Sequence, residues 1–317
     1  MAHRLGTSSS DIVAAVDYLR SGGVVGVPTE TVYGLAALAF NVEAVSKIFR
    51  LKGRPASNPL ILHIHHQDQI EQIASTIPKS LPRIVEEFWP GPLTVVLKSK
   101  SSVPEIVRAG GDTVAIRLPS HPVFQQLLAA INEPLAAPSA NRSNHISPTT
   151  ASHVEDDFPK DPFPILDAGP TAMGLESTVL SLVGVPTVLR LGATSVESLR
   201  QILPELTIKI PNHQTDSPGT SRRHYAPQKP LFVWSNQNIT KDDGVLIFGT
   251  PTPDGVDHVW DLSDNPIHAG KRLYAALREM DQSQLRTLYV VLPNLDGVKK
   301  NDWLAIMDRL RRATQSG

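Results

Sequence analysis

The 317-residue chain contains no cysteine, which excludes disulfides, thiolate metal sites and a cysteine nucleophile. No run approaches 18 apolar residues, so no transmembrane helix is expected. The segment 1–8 also lacks the apolar stretch of a signal peptide. These absences lead to the expectation of a cytoplasmic protein with no membrane contact. Aromatic residues make up only 5%, so the core has to be largely aliphatic. An excess of charge of either sign is missing too: 30 Lys+Arg stand against 31 Asp+Glu, whereas nucleic-acid binders show a broad basic excess. Any RNA contact would come from a local patch such as Arg309, Arg311 and Arg312. A solvated helix face explains those arginines equally well.

The composition that remains, 41% hydrophobic and 19% charged, suits a folded chain of two domains. Apolar periodicity and capping residues predict helices over 11–20, 42–51, 67–74, 82–88, 121–131 and 196–203. Short aliphatic runs predict strands over 24–27, 60–64, 93–97, 114–118, 165–167, 178–182 and 187–191. The order lacks a regular βαβ rhythm, which argues for an α+β or mixed open sheet. Residues 209–229 are rich in proline, serine and asparagine and read as a linker. Beyond it, strands at 231–234, 245–248, 258–262 and 287–292 alternate with helices at 267–280 and 302–312, the pattern of a small α/β domain. The expected division is 1–208, 209–229 and 230–317.

The most informative stretch is Pro28-Thr-Glu-Thr-Val-Tyr-Gly-Leu35. In an extended segment Thr29, Thr31 and Tyr33 share a face, which suits either a binding wall or a solvent-facing strand. Lys52-Gly-Arg-Pro-Ala-Ser-Asn-Pro-Leu60 then sets Lys52, Arg54 and Asn58 in a loop stiffened by two prolines. Phosphate binding and a helix-dipole response both fit those cations. The loop is not a P-loop, because Gly-x4-Gly-Lys-[Ser/Thr] does not occur. His63, His65 and His66 lack a neighbouring carboxylate at metal-ligand spacing, and His63 reads as a neutral hydrogen-bonding group. Arg117, at a strand end, has the geometry to clamp a carboxylate or to make a surface ion pair. Around Ala137-Pro-Ser-Ala-Asn141 and Ser147-Pro-Thr the small residues permit close approach of a nucleotide. Ser147 with Pro148 equally suits a helix start.

These blocks, with Pro90-Gly-Pro-Leu-Thr94, Arg117-Leu-Pro-Ser-His-Pro122, Glu176-Ser-Thr-Val179 and, in the linker, Ser217-Pro-Gly and His224-Tyr-Ala-Pro227, resemble the threonylcarbamoyl-AMP synthase family. The likeness is to its longer form, a YrdC-like domain with an added C-terminal domain. Ala168, Leu191 and the run from Thr220 to Arg223 depart from the family pattern. The resemblance implies a twisted mixed sheet around a concave pocket, joined to a small Rossmann-like α/β domain. It implies the reaction of L-threonine, bicarbonate or CO2 and ATP to threonylcarbamoyl-AMP and pyrophosphate, serving threonylcarbamoyladenosine formation in tRNA. Thr31, His63, Arg117, Ala137 and Ser177 correspond to the threonine-binding set. Arg54, Asn58, Thr113, Ser139, Asn141, Ser147, Arg190 and Tyr225 correspond to the ATP-binding set. Lys52 and Arg54 are expected to offset phosphate charge together with Mg2+ carried by the nucleotide, with no metal held directly by protein. Tyr225 is expected to act from the linker as part of a lid. The product implies a downstream tRNA threonylcarbamoyl-transfer machinery as partner. Two alternatives stand beside this reading. One is a non-catalytic RNA-binding or ribosome-assembly module. The other is a carbamoyl-adenylate activator using carbamoyl phosphate, whose zinc-finger segments a cysteine-free chain cannot supply.

Overall fold

The computed structural model describes residues 3–209, 224–293, 295 and 300–314. Short apolar runs build one large sheet. Its strands are β1 (His3–Leu5), β2 (Val25–Val27), β3 (Gly34–Leu38), β4 (Ile61–His63), β5 (Leu93–Lys98), β6 (Thr113–Arg117), β7 (Leu135–Ala136), β8 (Pro164–Leu166), β9 (Thr178–Ser181), β10 (Thr187–Arg190) and β11 (Thr207–Ile208). Their spatial order is β1-β8-β2-β3-β7-β4-β6-β5-β9-β10-β11, with parallel and antiparallel pairs mixed. Almost every central residue is buried, so these strands show little alternation.

Helices cover this sheet where their caps dictate. The first, α1 (Ser9–Arg20), starts at a capping box between Ser8 and Asp11 and buries Ile12, Ala15, Val16 and Leu19. The second, α2 (Val42–Lys52), starts at the Asn41 cap and stops at Gly53, whose φ of 60° reverses the chain. That reversal sends Lys52 and Arg54 to different partners. Then come α3 (Ile70–Ile73), α4 (Leu81–Phe88), α5 (Glu105–Arg108), α6 (Pro122–Ile131), α7 (Ala151–Asp157) and α8 (Val196–Ile202). Thr150, not Ser147, caps α7.

A second sheet begins at residue 231. Strands β12 (Leu231–Val233), β13 (Asp243–Ile247), β14 (His258–Asp261) and β15 (Thr287–Val290) pair in the order β12-β15-β13-β14, all parallel. Helices α9 (Pro266–Gln282) and α10 (Lys300–Ala313) accompany it. This small α/β unit packs on the large one, for Leu175, Leu191 and Tyr225 belong to the same apolar cluster as Leu273, Tyr274, Trp303 and Leu310. The two backbones nearly touch at Gly174, where a Cβ would lie 2.5 Å from the carbonyl oxygen of Lys271. The Ser217 and Thr220 positions of the linker lie outside the described residues.

Candidate active site

The turn between β2 and β3 forms one wall. These strands pair antiparallel, Val27 opposite Gly34, so residues 28–33 bend back instead of running on as a strand. The expected alternating face is therefore made differently. Thr29 Oγ1 accepts from the amides of Thr31 and Val32 and lies 2.8 Å from Thr31 Oγ1. A turn of this kind buries its hydroxyls, which a solvent-facing strand would not do. Tyr33 points its hydroxyl away, donating to Gly169 O at 2.8 Å.

Parallel pairing of β4 with β6 sets His63 beside Arg117, and the pleat places Ile61 on the same face as His63. Arg117 is buried and carries its own counter-ion. Nη2 lies 2.7 Å from Glu30 Oε1, Nη1 donates to Thr31 Oγ1 at 3.0 Å, and Nε donates to Gly91 O at 3.2 Å. Burial would raise the Glu30 carboxyl, but the Arg117 charge outweighs it and holds the group below its ordinary value. His63 is pushed down to about 3 by burial and by Arg117, so its ring is neutral at physiological pH. Its Nδ1 has no hydrogen-bond partner.

The opposite end is formed by Arg54, Arg190, Glu176, Ser177, His224 and Tyr225. A register irregularity in β10 between Val188 and Arg190 re-aims that arginine. Its Nε and Nη2 donate to Ser177 O and Oγ at 3.1 and 3.0 Å. Ser177 Oγ also lies 2.7 Å from Thr94 Oγ1 on β5. Arg54 donates to the carbonyls of Asn58 and Pro59 at 3.1 and 2.9 Å. Burial and the neighbouring Arg190 bring it down to about 9, still a cation at neutral pH. Two like charges thus face one cavity.

Glu176 is buried among donors: Ser147 Oγ at 2.6 Å, Arg309 Nε at 2.9 Å and the Tyr274 hydroxyl at 2.9 Å. Burial favours its neutral form, but Arg309, Arg190 and the Ser147 bond prevail and bring it to about 2. Tyr225 stacks on Tyr274 with centroids 5.7 Å apart and meets His224 edge-on at 3.9 Å. Together His224 and Tyr225 roof a cavity of about 50 Å³, room for a few water molecules. Burial pushes His224 down to about 3 as well.

Thr31, Arg54, His63, Arg117, Ala137, Ser139, Ser177, Arg190 and Tyr225 all line this cavity. Lys52 does not. It is 2% exposed, and its ammonium donates to Ser139 O at 2.6 Å and Asn141 O at 2.5 Å. Its contribution here is to hold the loop bearing Ala137 and Ser139. Burial and Arg54 push it well below the ordinary lysine range. Asn141 braces the same loop through Arg142 O and His145 O. Asn58 is buried beside Arg54, outside the lining. Ser147 stands behind Glu176. Thr113 begins β6 four residues before Arg117, about 13 Å away along an extended strand.

Sequence reasoning quoted Glu30, Glu176 and His224 within its motifs and Arg309 within a basic patch but gave them no role in the site, and it did not single out Tyr274. Glu30 is the sole charged residue between Arg20 and Glu43, and Glu176 the sole one between Asp167 and Arg190. A lone carboxylate in a long apolar run is a candidate for burial, and a buried one needs a cation. Arg309, which a solvated helix face would expose, is 0% exposed.

Among the described residues no cluster of three His, Cys, Asp or Glu is arranged to hold a metal. No helix there is long and apolar enough to cross a membrane. The family described as "Telomere recombination" matches residues 17–192, and that described as "Threonylcarbamoyl-AMP synthase, C-terminal domain" matches residues 194–315. A threonylcarbamoyl-AMP synthase of Pyrococcus abyssi is 38% identical over 95% of this chain and 93% of its own length. One from Bacillus subtilis is 37% identical over 98% and 94%. The crystal structure of P. abyssi Sua5 complexed with L-threonine superposes with a TM-score of 0.89 at 35% identity, covering all of both chains. With its two-sheet architecture and both family regions in sequence, the chain belongs to the threonylcarbamoyl-AMP synthase family.

Proposed function

We propose that this cavity joins L-threonine, bicarbonate or CO2, and ATP into threonylcarbamoyl-AMP, with release of pyrophosphate. The observation that carries the reading is the polarity of the cavity. One end holds two guanidinium groups, Arg54 and Arg190, facing the same space, as a polyphosphate requires. The other holds Thr31, a neutral His63 and an arginine already balanced by Glu30, as a zwitterionic amino acid requires. Relatives bearing the synthase name and a relative crystallised with L-threonine support it. The same matches favour it over an RNA-binding module.

In this reading the threonine ammonium first gives up a proton to water; the free amine then attacks CO2, forming an N–C bond and releasing a second proton, which leaves a carbamate anion. A carbamate oxygen then attacks the α-phosphorus of ATP as the bond to pyrophosphate breaks. The nucleophile is already an anion, so no strong base is needed, and rate depends on positioning and charge. Arg117 and Thr31 hold the amino-acid carboxylate. His63 meets the side-chain hydroxyl from one end of the cavity and Ser177, held by Arg190, faces it from the other, and their unmade bonds would count against valine. Arg54 and Arg190 balance the phosphates. Mg2+ arrives on the nucleotide, while Glu176 stays bonded to Arg309, Tyr274 and Ser147. ATP enters when the Tyr225 roof shifts. The proposed division is residues 1–208 as catalytic domain, 209–229 as linker and 230–317 as small domain. The product passes in the cytoplasm to the machinery that transfers threonylcarbamoyl groups to tRNA.

The test is pyrophosphate release from ATP with threonine and bicarbonate each omitted in turn, and with serine or valine in place of threonine. Release that needs both co-substrates and prefers threonine is the expected result. Release indifferent to threonine would overturn the proposal.

A further inference from the structure

The small domain reaches residues that line the cavity through two side chains, and through the Arg312 carbonyl, which accepts from the His224 amide at 3.2 Å. Arg309 on α10 makes four contacts. Its Nε donates to Glu176 Oε2 at 2.9 Å, its Nη2 donates to Leu191 O at 2.8 Å and its Nη1 donates to Asp308 at 2.8 Å. Its guanidinium lies 4.8 Å over the Tyr225 ring. Tyr274 on α9 donates to both oxygens of Glu176, at 2.9 and 3.1 Å, and stacks on the same Tyr225. Of these partners Glu176 and Tyr225 line the cavity, on the side of Arg54 and Arg190. Glu176 precedes Ser177, which receives Arg190, and Leu191 follows Arg190. None of the contacts reaches Thr31, His63 or Arg117, and Ser177, the threonine-side residue nearest to them, is reached only through the backbone of Glu176.

An interface that served only to join two domains would do as well with apolar groups. Replacing a buried charge cluster by packed hydrophobic residues is often neutral or stabilising. The Glu176 cluster instead fixes directions: the carboxylate rotamer, the carbonyl beside Arg190 and the plane of Tyr225. We propose that Arg309 and Tyr274 are positioning residues for the nucleotide half of the site. The small domain is then a working part of the active site. This rests on the reading that the cavity takes ATP beside threonine.

The experiment uses the full chain with Arg309→Met, Arg309→Lys and Tyr274→Phe. Pyrophosphate release is measured against ATP at saturating threonine and against threonine at saturating ATP. ATP affinity is also measured directly by titration calorimetry, and folding by circular dichroism. Arg309→Met is expected to weaken ATP at least tenfold in both KM and Kd, with the threonine KM within twofold of wild type. Arg309→Lys keeps the charge but not the fork, so it restores only part of the loss. Tyr274→Phe loses a single hydroxyl and is expected to weaken ATP about threefold. A purely structural role would lower the active fraction, and hence kcat, with both KM values unchanged; that result overturns the proposal. Should Arg309→Met fail to fold, an unaltered ATP Kd in folded Tyr274→Phe overturns it equally. Failure of the synthase reading is distinct, since it would show as wild-type release that ignores threonine.

Discussion

Acidification to pH 5 tests the buried imidazoles of the site. His63 and His224 are 3% and 7% exposed, and burial brings each to about 3. In the unfolded chain each titrates near 6.5. With the native value below the unfolded one, the unfolded state binds more protons between those limits. The stability each ring contributes is therefore complete above pH 6.5 and lost as pH falls toward 3. At pH 5 the loss is about 2 kcal/mol per ring, or about 4 kcal/mol together. The figure scarcely depends on the native value, because at pH 5 the folded ring is uncharged for any value of 4 or less. Glu176, at about 2, loses its contribution only as pH falls below about 4.5 toward 2, so pH 5 isolates the histidines. The half-buried His153, at about 4, and His121, also held below its ordinary value by burial, add smaller amounts, reduced by solvent screening. Urea unfolding followed by circular dichroism at pH 7.5 and 5.0 measures the change. Wild type is expected to lose about 4 kcal/mol and His224→Gln about 2 kcal/mol. A wild-type loss below about 1 kcal/mol, or an equal loss in His224→Gln, would refute the reasoning.

Removing the cation in Arg54→Met should lower kcat/KM for ATP by about 10- to 100-fold, the value of one charge-assisted bond; steady-state kinetics that match wild type would exclude Arg54 from the phosphates. Glu30→Gln leaves Arg117 buried without its counter-ion and should cost about 3 kcal/mol of stability. Saturating threonine should restore part of that loss, and a denaturation midpoint that ignores threonine would count against Arg117 as the carboxylate site. Tyr225→Ala should raise the ATP KM about tenfold by removing the stacked roof, while circular dichroism shows the large domain still folded; unaltered ATP kinetics would remove Tyr225 from the nucleotide site.

Much of this architecture was legible because local signals set it. Asn41 and Gly53 bound α2 by capping, and the aliphatic runs at 93–97 and 245–248 fall on β5 and β13. Strands β1, β3, β7 and β11 escaped. Three are two or three residues long, and Gly34–Leu38 is small and apolar on both faces, so no period marks it. The turn at Thr29–Val32 was misread as extended because alternating hydroxyls look alike in a strand and in a turn folded on its own side chains. Lys52 and Arg54 looked equivalent in sequence, but the left-handed Gly53 sends one to carbonyls and the other to the cavity. The Arg309–Glu176 pair joins positions 133 apart, a relation no local pattern encodes.

The Glu176 cluster also bears on how the chain folds. A carboxylate with two donors from beyond residue 230 cannot be dehydrated cheaply until those donors arrive, so the large sheet on its own would keep that corner wet. Docking of the small sheet expels the water, and closing so long a loop is slow compared with forming helices. The two sheets are therefore expected to melt as one calorimetric transition, and the last native contacts to form are those that finish the nucleotide end of the site.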